Sequence, residues 1–135
     1  SSVPILTAAD AAKVNLDYES CAANGTMLGS GGCIVMDETT DMVHALRILG
    51  RFYSHESCGQ CTPCRTGTNW AHRLLCRIDD GQGRPEDIDQ LLSIADNMVG
   101  RTICPLADAL AMPIKSFLTK FRAEFEHKIE TGKAA

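Results

Sequence analysis

At 135 residues the chain is long enough for one domain, or for one domain and a fragment of another. Its 44% hydrophobic and 22% charged content is that of a soluble protein, and a net charge of −4 with scattered Lys and Arg excludes a nucleic-acid face. No apolar run approaches the length of a membrane span.

Ser1 to Leu6 reads as the continuation of something upstream, with Pro4 breaking any helix. Thr7 is placed to cap one helical turn through Lys13. Asp17 to Gly25 predicts a short helix stopped by its glycine. The turn Gly29-Ser30-Gly31-Gly32 then leads into Cys33-Ile34-Val35-Met36-Asp37, a predicted strand with β-branched residues. This glycine run is not G-x-G-x-x-G and precedes a strand, so it reads as a turn and not as a dinucleotide site. A lone strand is unstable. Residues 1–40 therefore look like the tail of a mixed α/β domain.

From residue 38 the pattern turns helical. Thr39 or Thr40 can cap a helix that begins near Asp41, carries Met42, Val43, Leu46, Leu49 and Tyr53 on one stripe, and ends near Ser54 or His55. Asp41 is favoured at its positive end. A second helix is expected from after Cys64 to about Ile78, with Trp70, Leu74 and Ile78 inward and Ala71 and Leu75 beside them. Pro85 opens a third, whose Ile88, Leu91, Leu92, Ala95, Met98 and Val99 recur at helical spacing until Gly100. After a short turn from Pro105 to Ala111, Pro113 opens a last helix bearing Ile114, Phe117, Leu118, Phe121, Phe125 and Ile129, with Thr131 to Ala135 frayed. Four helices with short loops predict a bundle over residues 41–135.

The chemistry lies in the loops of that bundle. Cys58, Cys61 and Cys64 are spaced two residues apart, and Cys104-Pro105 follows after a gap of 39 residues. Successive C-x2-C units let the backbone curl so that each sulfur faces inward, and a fourth thiolate must arrive from elsewhere to complete a cube. The pattern points to a [4Fe-4S] cluster at one end of the bundle. Gly59 allows close approach and positive φ, Pro63 stiffens the loop, and free N–H groups can point at sulfur. Zinc also takes four cysteines, but usually as two separated C-x2-C pairs. Seven cysteines, an odd number, and no signal peptide argue against a disulfide framework and for a reducing compartment. A thioredoxin-like site would need a βαβ setting.

Two stretches, Ser57-Cys58-Gly59-Gln60-Cys61-Thr62-Pro63-Cys64-Arg65-Thr66-Gly67 and Thr102-Ile103-Cys104-Pro105-Leu106-Ala107-Asp108-Ala109, resemble the C-terminal part of the NADH-binding flavoprotein of respiratory complex I, the F subunit of NADH:quinone oxidoreductase. Related segments occur in the diaphorase subunits of NAD-reducing hydrogenases and in formate dehydrogenases. Residues 29–37 and 117–125 extend the likeness along almost the whole chain. The resemblance implies that Cys58, Cys61, Cys64 and Cys104 ligate one [4Fe-4S] cluster. It implies that residues 1–40 end a β-grasp domain of the soluble ligand-binding type and that residues 41–135 are the cluster domain. It implies FMN and NAD sites in an upstream domain that these residues do not include, so the chain alone is expected not to oxidise NADH. Its expected partners are that upstream domain and neighbouring iron–sulfur subunits of a multisubunit oxidoreductase. Its expected place is peripheral to the inner membrane on the cytoplasmic or matrix side, with no membrane insertion of its own.

Other residues carry paired readings. Arg65 and Arg101 could offset the charge of a reduced cluster, or be ordinary exposed or salt-bridged arginines. His55 reads as a helix C-terminal residue before a proton carrier, and Trp70 as core before a group between redox centres. Cys21, Cys33 and Cys76 are expected to be buried free thiols. The stripe over 113–129 is expected to pack within its own bundle.

Overall fold

A computed structural model describes residues 3–133. Seven helices are formed among them: α1 Ala8–Ala11, α2 Tyr18–Ala23, α3 Met42–Glu56, α4 Thr62–Asp79, α5 Glu86–Met98, α6 Leu106–Lys120 and α7 Arg122–Thr131. α3 packs along α4, α4 along α5 and α5 along α6, while α7 folds back against α3, α4 and α6. The core is one cluster centred on Leu46, Leu75, Ile78, Leu91, Leu110, Ile114 and Phe125.

The caps explain where the helices start. Asp41 itself, and not Thr39 or Thr40, caps α3: its carboxylate accepts the His44 N–H at 3.0 Å, while both threonines turn to Asp37. Thr7 caps α1 as expected, with Asp10 returning the bond. Gly25 and Gly100 follow their helices at φ +71° and +67°, the left-handed geometry that lets a helix end without steric penalty.

Several further expectations are corrected. No strand forms among the described residues; 31–39 are exposed, because a strand needs a neighbour for its N–H and C=O groups and the described residues offer none. Cys33, in that segment, is exposed and not buried. Pro113 does not open a helix but lies inside α6. An interior proline forfeits one backbone bond, yet Leu110, Ala111, Pro113, Ile114 and Phe117 are all buried there, and their packing outweighs that loss. The expected last helix instead breaks at Phe121 (φ −121°, ψ 23°), so the bundle gains a fifth helix, α7. Of the expected frayed end, Ala134 and Ala135 lie outside the described residues.

Trp70, expected in the core, is instead 57% exposed. The inward face of α4 is instead Cys64, Gly67, Thr68, Ala71, Leu75 and Ile78, a register of smaller residues. They admit α5 closely: a Cβ on Gly67 would lie 2.6 Å from the Met98 Sδ. Gly67→Ala should therefore lower stability despite its better helix propensity. Overpacking of about 1–3 kcal/mol outweighs a gain of roughly 0.5–1 kcal/mol. A urea midpoint below wild type with an unchanged m value is the expected result.

Residues before α3 are fastened to α6. The Ile5 N–H donates to Ser116 Oγ at 3.0 Å and Ile5 packs on the core. Lys120 pairs with Asp10 at 2.8 Å, and hydrogen bonds from Lys120 and then Thr7 hold the Asp10 carboxyl at about 2.

A buried ionic knot ties the other end. Lys128 on α7 is 5% exposed and pairs with Asp41 at the start of α3 and with Asp79 at the end of α4, the latter at 2.5 Å. Asp79 also accepts from Arg47 and His44, each at 2.8 Å. A second knot joins Arg77 to the fully buried Asp87, which also accepts the Arg84 N–H at 2.9 Å.

Candidate metal centre

Cys58 and Cys61 lie between α3 and α4, Cys64 in α4, and Cys104 between α5 and α6; the two loop segments touch where the Ile103 N–H meets Cys61 Sγ. α4 begins at Thr62, earlier than expected, so Cys61 is its N-cap residue and Cys64 lies in its first turn. Pro63 suits that turn, where a missing N–H costs nothing. Gly59 has φ +81°, the left-handed conformation the loop needs. Arg65 braces this turn: its Nη1 donates to the Gly59 carbonyl at 2.5 Å and its Nη2 to Thr62 Oγ1 at 3.4 Å.

The second segment is built as firmly. Asp108 in the first turn of α6 accepts the Gly100 N–H at 2.8 Å, the Arg101 N–H returns to the Met98 carbonyl at 3.2 Å, and Thr102 Oγ1 donates to the Cys104 carbonyl at 2.8 Å. So held, the Ile103 N–H points at Cys61 Sγ, 3.5 Å away across 42 residues of sequence. The residue next to Cys104 thus touches a cysteine of the first loop.

The four thiols differ in setting. Cys64 is buried, Cys61 half-buried, and Cys58 and Cys104 are exposed. Cys64 is held from two sides, by Ser57 Oγ at 3.3 Å from its sulfur and by Thr68 Oγ1, which donates to its carbonyl at 2.8 Å. Among the described residues, no three Cys, His, Asp or Glu side chains are drawn together closely enough to hold a single metal ion. What these segments do offer is a main-chain N–H at the Cys61 sulfur and a hydroxyl at the Cys64 sulfur, donors that suit a negatively charged, thiolate-bound group.

The remaining candidates fall into place. All seven cysteines are free thiols. Cys21 is buried; Cys76 is half-buried, 3.6 Å from His72 Nε2. Burial first, then Arg47 and Arg51, push the His72 imidazole below its usual range. His55 lies in the last turn of α3, as expected. Arg101 is exposed. Trp70 lines a surface cleft with Arg73, Leu74, Arg77, Gln90 and Ile94. Sequence reasoning passed over Ser57 and the Ile103 amide. Only their position flanking a cysteine marked them, and their aim is set by how α3 and α6 pack.

Comparison with known proteins bears on this site. The family model described as "NADH-ubiquinone oxidoreductase-F iron-sulfur binding region" matches residues 43–128. The NADH-quinone oxidoreductase F subunit of Rickettsia bellii (strain OSU 85-389) is 46% identical over 130 residues, which are 96% of this chain and 31% of that protein. Its namesake in Rickettsia felis is 44% identical over 135 residues, 100% of this chain and 32% of that protein. The chain thus spans about a third of the length of these relatives. A crystal structure of an NAD+-reducing [NiFe]-hydrogenase in the air-oxidized state superposes with a TM-score of 0.67 at 29% identity, covering 78% of this chain and 18% of the other. No helix among the described residues is long and apolar enough to cross a membrane.

Proposed function

We propose a function from the family to which this chain belongs, the NADH-ubiquinone oxidoreductase-F iron–sulfur binding family: it is an electron-relay domain in which Cys58, Cys61, Cys64 and Cys104 hold one [4Fe-4S] cluster. The observation that carries the reading is the Ile103 N–H to Cys61 Sγ contact, which joins the segment of the fourth cysteine to the loop of the other three. When bound, such a cluster takes up and gives up one electron at a time. The protein's share is to fix position and potential. Buried Cys64 anchors the site on the bundle, Arg65 braces the loop, and exposed Cys58 and Cys104 leave an edge accessible to a neighbour.

In the whole protein, the electrons arrive from FMN reduced by NADH in a domain upstream, and leave to the next iron–sulfur centre in an adjoining component of a quinone reductase. A hydride brings two electrons, and the flavin splits the pair for a one-electron acceptor. Residues 1–40 complete a β-grasp domain in that protein. The exposed Ile34 (67%) and Val35 (87%) support this, as β-branched residues suited to pairing with strands from elsewhere. The domain sits outside the membrane and reaches it through partner subunits.

Metal and sulfide analysis of anaerobically purified protein tests the reading. About four iron and four acid-labile sulfide per chain are expected, with brown colour and an electron paramagnetic resonance signal after reduction. One zinc per chain, no colour and no redox response would instead make it a structural zinc module.

A further inference from the structure

We propose that Ser57 tunes the site: its hydroxyl donates a hydrogen bond to the Cys64 sulfur and raises the reduction potential of the group that sulfur holds. The inference rests on the iron–sulfur reading above. Ser57 reaches the Cys64 sulfur through its side chain, whereas the bond at Cys61 comes from a main-chain N–H.

The contact belongs to the scaffold and not to a mobile loop. Ser57 directly follows α3, in an extended conformation (φ −63°, ψ 119°). Cys64 lies in the first turn of α4, its carbonyl taken by the fully buried Thr68. α3 and α4 pack along each other, so the 3.3 Å between Oγ and Sγ is set by helix packing. The hydroxyl is not used to cap α3; its bond runs to the sulfur.

Chemistry fixes the direction of the bond. Between a neutral thiol and a hydroxyl, either group can donate. A ligand sulfur carries no proton, so only the Ser57 hydroxyl can supply one. Cys64 is 7% exposed, and water competes poorly there, which strengthens the bond. Adding an electron puts more negative charge on the sulfurs and makes them better acceptors. The bond therefore stabilises the reduced form more than the oxidised form, and the potential rises.

The test compares wild type, Ser57→Ala and Ser57→Thr in the full-length protein, beginning with iron and sulfide content and continuing with potentiometric titration followed by electron paramagnetic resonance. All three should hold the same iron. Ser57→Ala should titrate at a lower potential than wild type, and Ser57→Thr, which keeps the hydroxyl, close to it. A fully loaded Ser57→Ala with the wild-type potential overturns the inference and leaves the iron–sulfur reading standing. So does a Ser57→Thr shifted as far as the alanine, since that would report disturbed packing. Loss of iron from Ser57→Ala alone would make the hydroxyl a holding group and not a tuning one, again against the inference. Wild type without iron would remove the reading beneath it, an outcome the first measurement separates from the rest.

Discussion

Cys61→Ser is expected to purify colourless, with iron falling from about four per chain to near zero and with much of the fold lost. Serine keeps the size of cysteine but offers a hydroxyl that does not ionise at neutral pH, so one corner of the cube loses its thiolate. Cys61 is the sharpest position to choose. It is the N-cap of α4, and its sulfur accepts the Ile103 N–H that holds the two halves of the site together. Cys58→Ser, Cys64→Ser and Cys104→Ser should likewise fail to retain a full cluster. Cys21→Ser, Cys33→Ser and Cys76→Ser are the controls. Cys33 is exposed on the segment before α3, Cys21 is buried in α2, and Cys76 faces His72 well along α4 from the cysteine loop, so none of them should change iron content. Full iron in Cys61→Ser, or its loss from Cys33→Ser or Cys76→Ser, would refute this ligand set.

The parts of this molecule that were legible in the sequence are those with a local cause. Helix α5 announces itself because its apolar residues recur at one period and Gly100 ends it at positive φ. In the cysteine loop, the positive φ of Gly59 and the place of Pro63 in a first helical turn likewise follow from residue type. Where two local rules compete, sequence reasoning chose wrongly. On α4 the bulky Trp70 pulled the predicted stripe outward, whereas the buried register runs through Gly67, Thr68 and Ala71, whose value is that they are small. At Pro113 a breaker was read as a beginning, because the sequence does not show that the residues on both sides of it are buried in one helix. The ionic knot at Lys128 had no local signal: its partners lie 87 and 49 residues away. Ser57 stood in plain view beside Cys58, yet its bond to Cys64 follows only from the packing of α3 on α4.

That knot carries the second large effect. Lys128→Met keeps the length and apolar stem of the side chain but removes the charge between Asp41 and Asp79. Two carboxylates would then face each other in a site where the Asp79 side chain is only 6% exposed. Breaking a buried pair by removing one partner costs about 3–5 kcal/mol, because the other charge is left uncompensated. Arg47 and His44 still reach Asp79, which places the expected loss at the lower end, with a Tm lower by on the order of 10 °C. The pH dependence follows from the same geometry. Burial works against the charge of Asp79, but hydrogen bonds from Lys128, His44 and Arg47 overcome it and hold the carboxyl at about 2. A carboxyl depressed in the folded state adds stability that is fully present above its unfolded pKa of about 4 and is lost as pH falls through the folded value. Acid also attacks iron–sulfur groups, so the quantity to measure is the stability gap between wild type and Asp79→Asn. It should be constant above about pH 5 and shrink as pH falls from about 4 towards 2. A gap unchanged over that range, or a Lys128→Met protein as stable as wild type, would show that the knot contributes little to holding α7 against α3 and α4.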